Sequence, residues 1–302
     1  MVIPPNDPLD KKLSRTRLER TRAAAARLAL AMQADYPRYF LHTPVKASSI
    51  ARVLGYRVKE VEKLAGRARI YLADSDEIEG RIEVERGLPA YAARFAVAHE
   101  IGHAVLWTAE RLSYPTLSLE EKEAFAHRYA SRLLVPKWKD AEVRKVSRKG
   151  SPEDIAMLAH NLGLSLAALL VFISAEKTFL SGSGIAWLLI RFAPNIYTAT
   201  NPKYRIVAAA EDRDIMFVPR NVDIGKVLGK VDWIVSQQPG ESATFDIAVT
   251  LPRRNVELSG KYKWITDKCN INIFSMRSVR NRAAPSHLVR LIPANDMTKR
   301  RQ

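Results

Sequence analysis

Cysteine is almost missing from this chain: Cys269 is the single one in 302 residues. A lone thiol closes no internal disulfide, and without a C-x-x-C pair it builds no thiolate zinc site. The chain therefore reads as a protein of a reducing compartment, with Cys269 buried in a strand. Long apolar runs are lacking too. Leu162 to Ile173 and Ile185 to Phe192 fall short of the roughly 20 residues that cross a bilayer, so no membrane span is expected. Residues 1–7 hold no cationic segment followed by an apolar core, which argues against secretion and for a cytoplasmic location. Neither a phosphate loop, a Gly-rich nucleotide fingerprint nor a convincing Ser-His-Asp set occurs in the C-terminal part. Acidic residues are in deficit, 32 against 48 Lys and Arg, giving a net charge of +16.

Histidine is scarce as well, at six residues, yet two of them stand four apart in His99-Glu100-Ile101-Gly102-His103. This is the H-E-x-x-H pattern of zinc peptidases. Residues 92 to 107 lack proline and carry Phe95, Ala98, Val105 and Leu106 at helical spacings, which predicts a helix. On a helix, side chains four apart lie one above the other, so both imidazoles can reach one ion. Glu100 follows the first ligand and is placed to reach a metal-bound water as general base. A buried helix with His-Glu-His on an otherwise apolar face would be a costly alternative.

A catalytic zinc takes three protein ligands and keeps one position open, so a third donor is needed downstream. Leu119, Ala126, Tyr129, Ala130, Leu133 and Leu134 fall on one stripe, predicting a second amphipathic helix that ends near Pro136. Glu123 is expected on that buried side and is the third ligand by this reading. Glu120 and Glu121 read as first-turn acids favoured by the helix dipole.

These segments resemble the ImmA/IrrE metallopeptidases. Leu88-Pro89 followed by Arg94-Phe95-x-x-Ala98-His99-Glu100-x-Gly102-His103-Ala104-x-Leu106 is similar to that family's R-F-x-x-A-H-E-x-G-H-A-x-L segment. Glu123-x-x-Ala126-His127-x-Tyr129-Ala130-x-x-Leu133-Leu134-x-Pro136 is similar to its E-x-x-A-N-x-F-A-x-x-L-L-M-P, whose glutamate is the third zinc ligand. The likeness covers roughly residues 45 to 180. It implies a zinc endopeptidase that cleaves a DNA-binding repressor and so regulates transcription, often in a stress response. The family's asparagine is His127 here, on the same helical face as Glu123. His127 is thus either a partner supporting a ligand, which we favour, or a rival ligand. His160 reads as a packing or surface histidine. Tyr91, Tyr129 and Arg94 are near in sequence, but spacing assigns none of them as an oxyanion donor. Manganese or iron could replace zinc in a two-histidine, one-carboxylate site.

Fold class is expected to be α+β. A helical zinc-peptidase domain spans residues 1–180, with an amphipathic helix over 9–34, a helix over Ala47 to Leu54, and a small sheet of strands near Tyr56 to Val58, Ala68 to Leu72 and Arg81 to Val84. A helix-turn-helix-like segment occupies about 151–177. Its second helix, Leu166 to Ile173, is almost purely apolar and offers little to base edges, so it reads as packing. The serine and glycine of residues 181–184 mark a boundary. A strand-rich α+β domain of sensor or recognition role follows over 181–302. Its expected strands are Ile185 to Phe192, Tyr204 to Ala209, Ile215 to Val218, Thr244 to Leu251, Lys261 to Thr266 and Asn270 to Met276, with a helix over Val222 to Val235.

The excess of positive charge gathers in the N-terminal helix, in Lys137 to Lys149 and in the C-terminal tail. Such patches follow a phosphate backbone, attract an acidic protein, or solvate the surface. The leading expectation is an endopeptidase acting on a protein substrate, a repressor or other DNA-binding regulator. The alternative is a regulator bound to nucleic acid or to a repressor, its zinc site structural or vestigial.

Overall fold

The computed structural model describes residues 8–64, 66–72, 80–111, 117–176, 178–181, 183, 186–193, 203–211, 242–251, 254–265 and 286–293. The protein is α+β. Helices α1 (Pro8–Asp35) and α2 (Ala47–Val53) precede strands β1 (Tyr56–Val61), β2 (Ala68–Tyr71) and β3 (Gly80–Glu85). Then come α3 (Ala90–Arg111), α4 (Leu119–Leu133), α5 (Asp140–Lys149), α6 (Pro152–Leu162) and α7 (Leu166–Ala175). Strands β4 (Ala186–Ala193), β5 (Lys203–Glu211), β6 (Ser242–Leu251), β7 (Arg254–Ile265) and β8 (Ser286–Pro293) complete the described part.

Contacts divide the chain into two compact units, residues 1–140 with 161–164, and residues 141–160 with 165–302. In the first, a mixed three-stranded sheet has the order β1-β3-β2, with β3 parallel to β1 and antiparallel to β2. β2 is therefore an edge strand. α1 packs along α4: Gln33 donates from Nε2 to the carbonyls of Arg132 (2.8 Å) and Val135 (3.1 Å), and its Oε1 accepts the Lys137 N–H (2.8 Å). Buried carbonyls beyond a helix end need such donors. The core holds Ala25, Ala29, Ile50, Ile82, Ile101, Phe125, Tyr129 and Leu133, all essentially inaccessible.

In the second unit, an antiparallel sheet runs β5-β4-β8-β7-β6. Trp187 on β4 is fully buried and donates from Nε1 to the Ser147 carbonyl at 2.8 Å, which ties α5 to the sheet. α7 buries Leu169, Leu170, Phe172 and Ile173 and contacts β4 and β5, so it is a packing helix. Arg148, one of the basic cluster around α5, donates to the carbonyls of Thr178, Phe179 and Ser181; part of that charge is structural. α5 and β8 were not foreseen from the sequence, and β7 begins at Arg254 rather than Lys261. Cys269 and the expected elements at Ile215 to Val218, Val222 to Val235 and Asn270 to Met276 lie outside the described residues. Among the described residues no single helix is long and apolar enough to cross a membrane; α6 and α7 pass that test together but meet at a 95° bend.

Candidate metal centre

Two helices build the site. α3 starts after Pro89, whose carbonyl accepts the N–H groups of Ala92 (2.8 Å) and Ala93 (3.0 Å). Its inner face buries Ala96, Val97, Ala98, Ile101, Ala104 and Leu106, which fixes the direction in which His99 and His103 point. α4 opens with a capping box: Ser118 Oγ accepts the Glu121 N–H (3.3 Å), and the Glu121 carboxylate accepts the Ser118 N–H (2.8 Å). The helices meet at Gly102, where a Cβ would lie 2.9 Å from Ala126 Cα and 3.3 Å from Tyr129 Cβ. Only a residue without a side chain permits that approach. One turn earlier on α4, Glu123 faces both histidines.

The donor atoms converge. His99 Nε2 and His103 Nε2 are 3.0 Å apart, Glu123 Oε2 lies 3.3 Å from His99 Nε2, and Glu123 Oε1 lies 3.4 Å from His103 Nε2. A tetrahedral ion with bonds of about 2.0–2.1 Å has ligand-to-ligand edges of about 3.3 Å. His99, His103 and Glu123 are close enough to hold a metal ion, and their spacings fit one face of such a tetrahedron. Burial lowers the pKa of His99 to about 3, helped by the neighbouring His103 and His127. Burial lowers that of His103 as well, against the opposing pull of Glu123. Both rings are thus neutral and present lone pairs, the form a metal requires. His99 Nδ1 is buried without a hydrogen-bond partner among the described residues.

Glu100 is 9% exposed, and burial raises its pKa to about 7, with Glu123 adding to the rise; the Ile70 N–H donates to its carboxylate and opposes it. That hydrogen bond links α3 to the edge strand β2. The donor triangle and Glu100 line a cleft of about 720 Å³ together with residues 66–70, Phe95 and His127. His127 is exposed, stands edge to face against His99 (centroids 4.6 Å apart) and against Phe95 (5.7 Å), and lies outside the three-donor group.

No model of a known protein family and no curated protein matches the sequence. A transcriptional regulator from Mycobacterium tuberculosis is similar in structure, with a TM-score of 0.53 at 14% identity over 94% of this chain and 82% of that one. At that identity the likeness speaks for the fold alone.

Glu123 was expected on the buried side of its helix; its side chain is 50% exposed, because it faces the open cleft rather than the core. Leu119, assigned to the apolar stripe, is 76% exposed. Glu121 is turned inward instead, 6% exposed, where the capping box and an ion pair with Arg17 Nε at 2.6 Å hold it. Arg94 donates to the Gly163 carbonyl at 2.7 Å and is a structural tie. Tyr129 is fully buried against Phe125, and its hydroxyl has no partner among the described residues. Residues that sequence reasoning did not connect to the site are Arg67, Arg69 and Ile70. Their signal, a short strand, carries no hint of which helix it will border.

Proposed function

We propose that this chain is a zinc-dependent endopeptidase, a regulatory protease of the ImmA/IrrE kind that cleaves a DNA-binding repressor. The observation that carries the reading is the triangle of His99, His103 and Glu123 donors at tetrahedral-edge spacing, with Glu100 beside it. Zinc held there supplies Lewis acidity toward a peptide carbonyl and activates water near neutral pH. Glu100 accepts the proton of the attacking water at its carboxylate and returns it to the departing amine nitrogen. In the metal-free chain burial raises its pKa to about 7, and this desolvation makes the carboxylate a stronger base than an exposed one. The Ile70 N–H fixes the carboxylate while it does so. A regulatory setting rather than digestion is part of the proposal, and the protein of similar fold is itself named a transcriptional regulator.

The test combines metal content and cleavage. Protein purified without added ions is expected to carry about one zinc per chain in the native and Glu100→Gln forms and none in Glu123→Ala. Incubated with a peptide library made from a whole proteome, the native protein is expected to generate new termini. Glu100→Gln should slow this by about 10²- to 10⁴-fold, the usual span for a general base. Cleavage at the native rate by Glu100→Gln would sink the mechanism. Absence of metal, even after zinc is offered back, would retire the peptidase reading in favour of the basic regulator.

A further inference from the structure

We infer that the cleft selects acidic peptides, through Arg67 and Arg69 on its β2 wall. The inference rests on the peptidase reading for the peptide itself and adds which side chains that peptide carries. Both arginines line the cleft within the same stretch as Ile70, whose N–H holds Glu100. Both are exposed, and among the described residues neither forms an ion pair or side-chain hydrogen bond.

The ladder explains why Arg69 has no ion pair among the described residues. Arg69 stands opposite Glu83 on β3, the nearest acid in register. Glu83 is already held by Arg81 Nε at 3.1 Å and by the Tyr71 hydroxyl at 3.2 Å. The Arg81 guanidinium also covers the Tyr71 ring, 4.4 Å from its centroid. Among the described residues, two cations therefore line the cleft without an ion pair. The acids of the cleft itself have other roles: Glu123 turns to the histidines and Glu100 is buried against Ile70 N–H.

Strand geometry sets the spacing of the ligand. Among the described residues the sheet order leaves the outer edge of β2 unpaired, and α3 packs beside it. The Glu85 N–H bonds the Arg67 carbonyl at 3.0 Å, so the peptide groups of Arg67 turn toward β3. By alternation those of Ala68 and Ile70 turn toward the cleft. Arg67 and Arg69 project to one side, about 7 Å apart. An extended peptide laid along this edge repeats its side chains with the same period. The matching ligand carries Asp or Glu at two positions separated by one residue, close to the bond to be cut. The chain's net charge of +16 steers such a peptide inward.

Binding, read apart from hydrolysis, tests this. Zinc-loaded Glu100→Gln protein is titrated against two fluorescein-labelled peptides, identical except that one carries Glu-x-Glu and the other Gln-x-Gln. The acidic peptide is expected to bind about tenfold more tightly, the sum of two partly solvated ion pairs, and less so at high salt. Adding Arg67→Gln and Arg69→Gln should shrink this preference to the remainder that zinc and the overall charge supply, while zinc content stays the same. Zinc attracts the acidic peptide equally in both proteins, so it does not mimic the result. Equal binding of the two peptides, or a preference that the double substitution leaves undiminished, overturns the inference. If native protein cuts neither peptide yet the preference follows the arginines, the acidic-peptide site stands and the peptidase reading fails.

Discussion

At the scale of single residues, the site consists of groups held away from their ordinary ionisation. Glu100 has its pKa raised to about 7 by burial, so without metal the folded chain binds its proton more tightly than the unfolded chain does. Its contribution to stability is complete below the ordinary value of 4.5 and is lost as pH rises toward 7. Glu100→Gln keeps an acceptor for the Ile70 N–H and removes the titration. In chelator, the variant should match the native protein near pH 4.5 and exceed it by roughly 3 kcal/mol at pH 8, at 1.36 kcal/mol per unit. Urea unfolding at both pH values measures this, and an equal gap at the two would refute the burial argument. His99 works in the opposite direction. With its pKa lowered to about 3, the stability of the neutral ring is present above pH 6.5 and is lost on acidification toward pH 3. The local spacing of His99, Glu100 and His103 was legible because covalent sequence and helix pitch settle it. Arg67, Arg69 and Ile70 were not, because their place beside α3 comes from the order of strands in a sheet.

At the scale of elements, the close crossing of α3 and α4 brings Glu123 to the histidines. Alanine inside a helix is ordinarily better than glycine by about 1 kcal/mol. At Gly102 the added methyl would meet the Ala126 backbone at 2.9 Å, so the helices must separate. Overpacking of that kind costs about 1–3 kcal/mol. Gly102→Ala is therefore expected to lower the melting temperature and, more tellingly, to weaken zinc retention although no ligand has changed. A variant that keeps zinc as tightly as the native protein would show that the crossing does not set the donor triangle. Helix patterning announced α3 and α4 and set Glu121 in the first turn of α4, but it misplaced Leu119. A capping box fixes the first turn by its own hydrogen bonds, and those rotate an acid inward against Arg17. The short helix α5 was hidden by its charge: six of its ten residues are Asp, Glu, Lys or Arg, and it is held by Val143 and Ser147 alone on its buried side.

At the scale of the whole molecule, the serine and glycine of residues 181–184 suggested a boundary that contacts do not follow. α5 joins the later sheet because Trp187 donates to Ser147, and α7 joins it through apolar packing. Composition can mark a loose segment, but side chains distant in sequence decide which helix a sheet recruits. The three donors and Glu100 all lie in the first unit. A ligand that binds the folded state alone stabilises by RT ln(1 + [L]/Kd), about 2.7 kcal/mol at a hundredfold excess over Kd. That energy should enter the unfolding of the unit that owns the site. Calorimetry is expected to resolve two transitions, of which one moves upward on adding zinc and back on chelation, while the other stays in place. In Glu123→Ala neither should move. A single transition that shifts as a whole would mean that the two units unfold as one cooperative body, and that zinc bound between α3 and α4 supports the five-stranded sheet as well.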